Sequence, residues 1–514
     1  MVASEYPGTK PRNAIVLLFD SLNRHMLGSY GGHEFATPNF DAFAAGALRF
    51  NRHFTGSLPC MPARHDILVG ALDFLWRPWG SIEIWEDAIT YAMRKKGVTT
   101  MLVADHPHLF ETGGENYHTD FRAWEYVRGH ESDPWKTRPD PSWQGTPHFI
   151  PREMPYDNSR GYFRTEDDFP GPQTMRATAD WLRDHAPHHE SFFLFVDEFD
   201  PHEPFDTPDR WSSLYDDDWQ GDNLIWPPYA VGAVEKGIIS EREARQIRAQ
   251  YGAKLSMIDH WFGKVMQVLE ETGRLDDTLI ILTTDHGHYL GEKDIWGKPG
   301  TPVQKALGHI PLYVSGPGIT PGDSNALTTS VDIFATLADL YRLDIRQRTH
   351  GRSLLPLLYG GETQVRDYVL TGVWGREIQV TDGAHLYARA PQTDNMPLAM
   401  YSNRWSTMPI HVNGPDGEID TRDVFPVPDE RAELARVPGS SIPVIRQPFQ
   451  PGDMLPYWAG RHFTGDHLYD LSAPVGEEPD RADSTDTATY RDLLRHALED
   501  VDAPAEQFAR MGLV

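Results

Sequence analysis

The chain has 514 residues, and 75 Asp plus Glu against 47 Lys plus Arg give it a formal charge of −28. Hydrophobic residues at 39% and aromatics at 11%, with 15 Trp, suffice for a large core and exclude a mostly disordered protein. The charge argues against a general binder of nucleic acid or anionic membrane, so an anionic substrate must be drawn in by a local cation cluster or a metal. The N-terminus lacks a basic segment followed by an apolar run of signal-peptide length, and no stretch approaches the roughly 18–20 apolar residues of a membrane span. A soluble, cytoplasmic protein with no membrane partner is expected. The lone cysteine, Cys60, excludes a disulfide-stapled scaffold.

Strands are predicted at 14–19, 98–103, 191–199, 278–284 and 310–315, each short and almost wholly apolar. Helices are predicted between them. The run 40–48 follows Thr37-Pro38, a cap and an N1 proline; 87–96 closes on Gly97; 174–185 precedes the third strand; 240–272 ends at Gly273. Short buried strands alternating with helices define an α/β domain with a large, mostly parallel sheet covered on both faces. The irregular stretch 134–173 reads as a functional loop or surface cover. After residue 366 the character changes. Residues 378–388 form a predicted hairpin around Asp382-Gly383, a Pro-rich stretch runs through 409–456, HLYDL is a further strand and 487–499 a last helix. The expected division is a catalytic α/β domain over 1–365 and a smaller α+β domain over 366–514, with an antiparallel sheet and a terminal helix.

The chemical signal is LPCMPARHDILVG, residues 58–70, in which Cys60, Pro62, Arg64, Leu68 and Gly70 spell C-x-P-x-R-x-x-x-L-x-G. Pro62 belongs in a first helical turn, which puts Cys60 at or beside a helix N-terminus, where exposed N–H groups favour negative charge. Arg64, one turn on, adds a cation that does not deprotonate. An isolated Cys is ordinarily an inert core residue, but five positions in one pattern make an accidental match improbable. Asp20 closes the apolar run AIVLLF, and Asp285 with His286 close TLIILTT, so all three are expected at the C-terminal edge of the sheet, where such folds bind ligands. Two acids and an imidazole there, with Cys60, suit a divalent cation.

These residues resemble the type I sulfatases of the alkaline phosphatase superfamily, close to the arylsulfatase and phosphonate monoester hydrolase branches. The resemblance covers most of the chain, through FDSLNRHMLGSYG after the first strand, FDPHEP after the third, TTDHGHYLGEKDIWGK after the fourth, and HLYDL. It implies that Cys60 is oxidised to formylglycine by a formylglycine-generating maturation enzyme, and that its hydrated aldehyde is the nucleophile. It implies metal ligation by Asp20, Cys60, Asp285 and His286, with calcium expected first and manganese or magnesium as alternatives. His202, in DPHEP, resembles the histidine that contacts the bridging oxygen, and Lys298, in WGKPG, the lysine that binds the ester group from the other side. His106 and His108, in ADHPHLF, are carried over as substrate-binding residues with a one-position offset, Asp105 standing where the family has a Lys. The sequence departs from the pattern at Ser21, often a second Asp, and at His286, often an Asn. His288 and His309 lie near the motifs in expected core or supporting roles. Residues 113–130 either shape the pocket or form an aromatic core edge.

The activity implied is metal-dependent hydrolysis of a small-molecule or carbohydrate sulfate ester to an alcohol and sulfate. The alternative uses the same site on phosphonate monoesters or phosphodiesters. Further rivals are a non-catalytic anion- or sugar-binding protein with a dead site, and a redox thiol protein, which lacks a second Cys. A homo-oligomer is open.

Overall fold

The first strand sets up both halves of the core. In Asn13–Phe19 (β1) Ile15, Leu17 and Phe19 face one apolar cluster while Ala14, Val16 and Leu18 face another, and every residue is buried. This period-2 partition is what an apolar strand in a doubly covered sheet requires. The computed structural model describes residues 10–138, 155–405, 412–413, 419–420, 428–456, 459, 463–483, 485 and 487–514.

Seven further strands complete this sheet: Leu48–Phe54 (β2), Thr99–Ala104 (β3), Ala123–Tyr126 (β4), Phe192–Glu198 (β5), Thr278–Thr283 (β6), Leu312–Ser315 (β7) and Gly322–Thr329 (β8). Their order is β8-β2-β7-β6-β1-β5-β3-β4. Strands β6, β1, β5, β3 and β4 run parallel, and β2 runs parallel to β8. β7 is antiparallel to both neighbours. The expected mostly parallel sheet is therefore present with one reversed strand. The predicted helix 40–48 stops at Ala45, and Leu48 instead opens β2, whose partly polar sequence LRFNRHF gave no long apolar run.

On one face the 31-residue helix Glu241–Glu271 adds Ile247, Tyr251, Leu255, Ile258 and Phe262 to the apolar cluster that holds Ile15, Leu17 and Phe19, with Phe262 edge-on to Phe19. Its first turn is a capping box in which Ser240 and Glu243 each satisfy the other's backbone N–H. Helix Pro170–Asp184 starts four residues earlier than predicted, with prolines in its first turn. The rest of the predicted irregular insertion includes a short helix, Tyr156–Arg160, while 139–154 lies outside the described residues.

The predicted hairpin is present as Ile378–Thr381 and His385–Arg389, paired antiparallel. With Val369–Gly372 and His467–Asp470 it forms a four-stranded sheet, backed by Leu494, Ala497 and Leu498 of the helix Ala488–Asp500. Of the Pro-rich stretch, 409–411, 414–418 and 421–427 lie outside the described residues. The small sheet bears on the catalytic segment. Leu58 N donates to Gly372 O, Gly372 N to Gly56 O, and Thr371 Oγ1 to Thr55 O, which fixes the loop leading into Cys60. Among the described residues no helix is long and apolar enough to cross a membrane.

Candidate active site

Cys60 is the first residue of the helix Cys60–Val69, all ten residues of which are buried. The helix ends at Gly70, whose φ of 81° only glycine adopts readily and where a Cβ would lie 2.4 Å from the Phe334 ring. Arg64, one turn beyond Cys60, returns NH1 to the Cys60 carbonyl at 3.1 Å. Its remaining donors meet three buried carboxylates: Asp20 Oδ2 at 2.9 Å, Asp285 Oδ2 at 2.8 Å, and both oxygens of Asp197 at 2.7 and 2.8 Å. All four side chains are fully buried. A guanidinium presents a planar fork, which lysine could not replace here.

Parallel strands bring these acids to one edge. Asp20 follows β1, Asp197 lies in β5 and Asp285 follows β6. Asp197 escaped the sequence reading. The run FFLFVDEFD ends in three acids, Asp197, Glu198 and Asp200, and only the pairing of Leu18 with Asp197 shows which faces the helix.

One ligand atom each from Asp20, Cys60, Asp285 and His286 lies within 4.8 Å of the others. His286 Nδ1 is 2.9 Å from the Gly287 carbonyl, so that nitrogen carries the proton and Nε2 offers a lone pair. Nε2 lies 3.3 Å from Cys60 Sγ and 3.2 Å from Asp285 Oδ2. Burial and the neighbouring Asp285 charge push the Asp20 carboxyl well above its ordinary range, while burial draws His286 down to about 4. A buried carboxyl disfavoured as an anion by burial and by its charged neighbour, beside a deprotonated imidazole nitrogen, fits a divalent cation. Ser21, at a φ of 59°, donates Oγ to Asp20 at 2.8 Å and N to Asp285 Oδ1 at 3.2 Å, so it orients both acids.

The other wall holds Lys298 and His202. Lys298 Nζ is 3.9 Å from Cys60 Sγ and 2.7 Å from His202 Nε2. His202 Nδ1 is 2.7 Å from the Glu203 carbonyl, which fixes the proton on Nδ1 and makes Nε2 the acceptor of the ammonium. Burial draws His202 down to about 3; Lys298, despite burial, is raised by Cys60, Glu203 and the nearby aspartates. The shared proton therefore rests on Lys298. Burial first, and then Asp20, raises the Cys60 thiol well above its usual value, so an unmodified thiol would be uncharged and weakly nucleophilic.

The two carried-over histidines part company. His106 is fully buried and turns Nε2 toward Asp20 at 3.8 Å, with Phe199 and His108 against its ring. His108 pairs instead with Glu111 and, at 3.4 Å, with Glu131. His288 supports Glu203 at 3.2 Å; His309 stacks on Phe54 and lies 2.8 Å from the Asn51 carbonyl. In 113–130, Tyr117 donates to the Met61 and Gly80 carbonyls and Phe121 enters the core, in keeping with the core-edge reading.

A buried cluster where a helix N-terminus, two cations and a set of metal-ligating side chains converge at the C-terminal edge of an α/β sheet defines a hydrolase of anionic esters. The sulfatase family model matches residues 12–343, and the chain belongs to this family of sulfuric ester hydrolases. It is 28% identical over 383 residues to a choline-sulfatase of Rhizobium meliloti (strain 1021), covering 68% of this chain and 72% of that one. An arylsulfatase of Clostridium perfringens is 24% identical over 396 residues, covering 70% and 80%. In fold, the chain is similar to a phosphonate monoester hydrolase from Silicibacter pomeroyi, with a TM-score of 0.62 at 19% identity over 95% of this chain and 96% of that one. The family generally uses a divalent metal and formylglycine, and the buried cluster is a possible metal site here.

Proposed function

We propose that the chain hydrolyses the sulfate ester of a small organic alcohol through a formylglycine at position 60, and that Cys60 Sγ marks the place of its reactive oxygen. The observation that carries this reading is the convergence on one first-turn cysteine of Arg64, Lys298 and the Asp20–Asp285–His286 cluster. A divalent cation held by Asp20, Asp285, His286 and residue 60 would lower the pKa of the nucleophilic hydroxyl and neutralise charge on the sulfate oxygens. The hydrated aldehyde supplies two hydroxyls on one carbon, so one attacks sulfur and the other later expels sulfate, restoring the carbonyl.

The chain's own residues do the rest. Lys298 and the N–H groups of the first helical turn face the charge that builds on the sulfate oxygens, a preorganised electrostatic environment. Arg64 holds Asp20, Asp197 and Asp285 in place, and Asp285 is the acceptor for the proton of the attacking hydroxyl. Lys298, hydrogen-bonded to His202, holds the proton destined for the departing alkoxide. His106, buried with neither ring nitrogen in a hydrogen bond, lines the sulfate pocket. His108, engaged by Glu111 and Glu131, borders it.

Calcium is the expected ion, with manganese the alternative that the His286 imidazole favours. Maturation by a formylglycine-generating enzyme belongs to this reading. Relatives that act on choline sulfate and aryl sulfates support a compact alcohol as leaving group. A phosphonate monoester is the second reading, because His286 stands where many arylsulfatases have Asn and because a relative 26% identical over 414 residues is a multifunctional member of the superfamily. Parallel turnover of 4-nitrophenyl sulfate and 4-nitrophenyl phenylphosphonate by metal-loaded enzyme tests it. A higher kcat/KM on the sulfate is expected; a higher value on the phosphonate would transfer the assignment.

A further inference from the structure

The Lys298–His202 pair is held by a carboxylate that the mechanism above leaves unused. Glu203 is 2% exposed and lies between three partners. Oε1 accepts from the Tyr229 hydroxyl, Oε2 lies 3.2 Å from His288 Nε2, and the same Oε2 is 3.3 Å from His202 Nδ1. The Glu203 backbone carbonyl takes the His202 Nδ1 proton. One residue thus fixes the tautomer through its main chain and anchors its own position through its side chain.

Tyr229 extends the arrangement to the other member of the pair. Lys298 Nζ sits over the Tyr229 ring, 5.9 Å from its centroid. The ring can come this close to the chain leading into Lys298 because residue 297, the last of the strand Ile295–Gly297, is glycine. Gly297 has a φ of 70°, and a Cβ there would lie 2.4 Å from the Tyr229 ring. His288, fully buried and 2.9 Å from the Tyr289 carbonyl through Nδ1, closes the far side of Glu203. Although burial alone would raise it, His202 and Lys298 hold the Glu203 carboxyl well below its ordinary range, so a full negative charge faces the pair.

We infer that Glu203 is a positioning residue for the leaving-group proton, orienting His202 directly and Lys298 through Tyr229. It touches no reacting atom. The inference rests on the reading of the site given above, in which that pair serves the departing alcohol. A buried carboxylate of purely structural importance would lower turnover of every substrate alike. A residue that positions the proton donor must instead matter in proportion to the leaving group's need for a proton, since the weakly basic 4-nitrophenolate leaves with little help and the more basic phenolate gains more from protonation.

The test compares Glu203→Gln and Tyr229→Phe with the wild-type, matured enzyme on 4-nitrophenyl sulfate and on phenyl sulfate. Glu203→Gln keeps the shape and a hydrogen bond to Tyr229 but removes the charge; Tyr229→Phe keeps the ring beneath Lys298 and frees the carboxylate, providing a second, milder perturbation. Glu203→Gln is expected to lower kcat on phenyl sulfate by about tenfold or more beyond its effect on 4-nitrophenyl sulfate, within the range of general-acid contributions. Tyr229→Phe should shift the ratio the same way by less. Equal losses on both esters in both variants would overturn the inference while leaving the sulfatase reading intact. Failure of the wild-type enzyme to turn over either ester would overturn that reading, and this inference with it.

Discussion

Arg64 carries more of the site's electrostatics than any other side chain. Among the described residues it is the one cation in contact with all three of Asp20, Asp197 and Asp285, and none of the four is exposed. Breaking one partner of such a buried network leaves the others uncompensated, at a loss of about 3–5 kcal/mol. Arg64→Met should therefore lower unfolding stability by about that amount in chelated enzyme, with activity abolished; a chemical-denaturation midpoint within error of wild type would contradict it. His108 gives a prediction in pH. Glu111 and Glu131 overcome burial and raise it to about 10 from an ordinary 6.5. A histidine raised in the folded state contributes stability that is fully present below 6.5 and lost as the pH climbs through about 10. Thermal unfolding midpoints should decline over that window in wild type and decline less in His108→Gln; the same slope in both would refute the pairing. At this scale the sequence was informative wherever a residue ended an apolar run or sat in a motif. Asp20, Cys60, Arg64, Asp285 and His286 were all legible in that way. Asp197 and Glu203 were not, because each is one acid among several in VDEFDPHEP, residues 196–204, and only strand register and packing select it.

The element that matters most is the helix Cys60–Val69, which is buried along its whole length and so owes its stability to packing rather than to propensity. Its two ends are fixed by different devices. The N-terminal loop is stitched to Gly372 and Thr371 of the small sheet. On its flank, His65 meets Glu86 at 2.9 Å, and Arg77 binds Asp73 at 2.7 Å and reaches toward Glu83 and Glu86. Glu83 in turn accepts from Ser402 and, at 3.1 Å, from the Asn403 backbone. The C-terminus turns on Gly70. A side chain at that positive φ is strained by about 1–3 kcal/mol and here also meets Phe334. Gly70→Ala should lower the unfolding midpoint and impair turnover through displacement of the helix; an unchanged midpoint would show that the neighbour yields freely. Long apolar or amphipathic runs made β1, β5, β6 and the helix Glu241–Glu271 legible. The sense of β7 was not, because an apolar run does not record whether its neighbours are parallel. β2 and β8 were hidden by polar side chains such as Arg49, Asn51, Asp323 and Asn325, which pair with one another across the sheet edge.

For the whole molecule, a net charge of −28 opposes capture of a sulfate monoester at long range. Binding must then come from charge concentrated at the pocket, from Lys298, the helix N-terminus and a bound cation. Burial and the Asp285 charge both act against an ionised Asp20, and a cation in the proposed site would offset them. Removing the metal should therefore reduce stability as well as activity. At free metal about 100 times its Kd the stabilisation is about 2.7 kcal/mol. Chelation should lower the thermal midpoint reversibly, with calcium or manganese restoring it and activity together; recovery of the midpoint without activity would assign the cluster a structural role alone.

Every step proposed for this protein depends on the side chain at position 60. Mass spectrometry of the peptide spanning Cys60 to Arg64, taken from preparations of graded specific activity, measures that dependence directly. The account predicts that activity rises in proportion to the fraction carrying an aldehyde in place of the thiol, with none in fully unmodified protein. An intact thiol throughout a fully active preparation would contradict it.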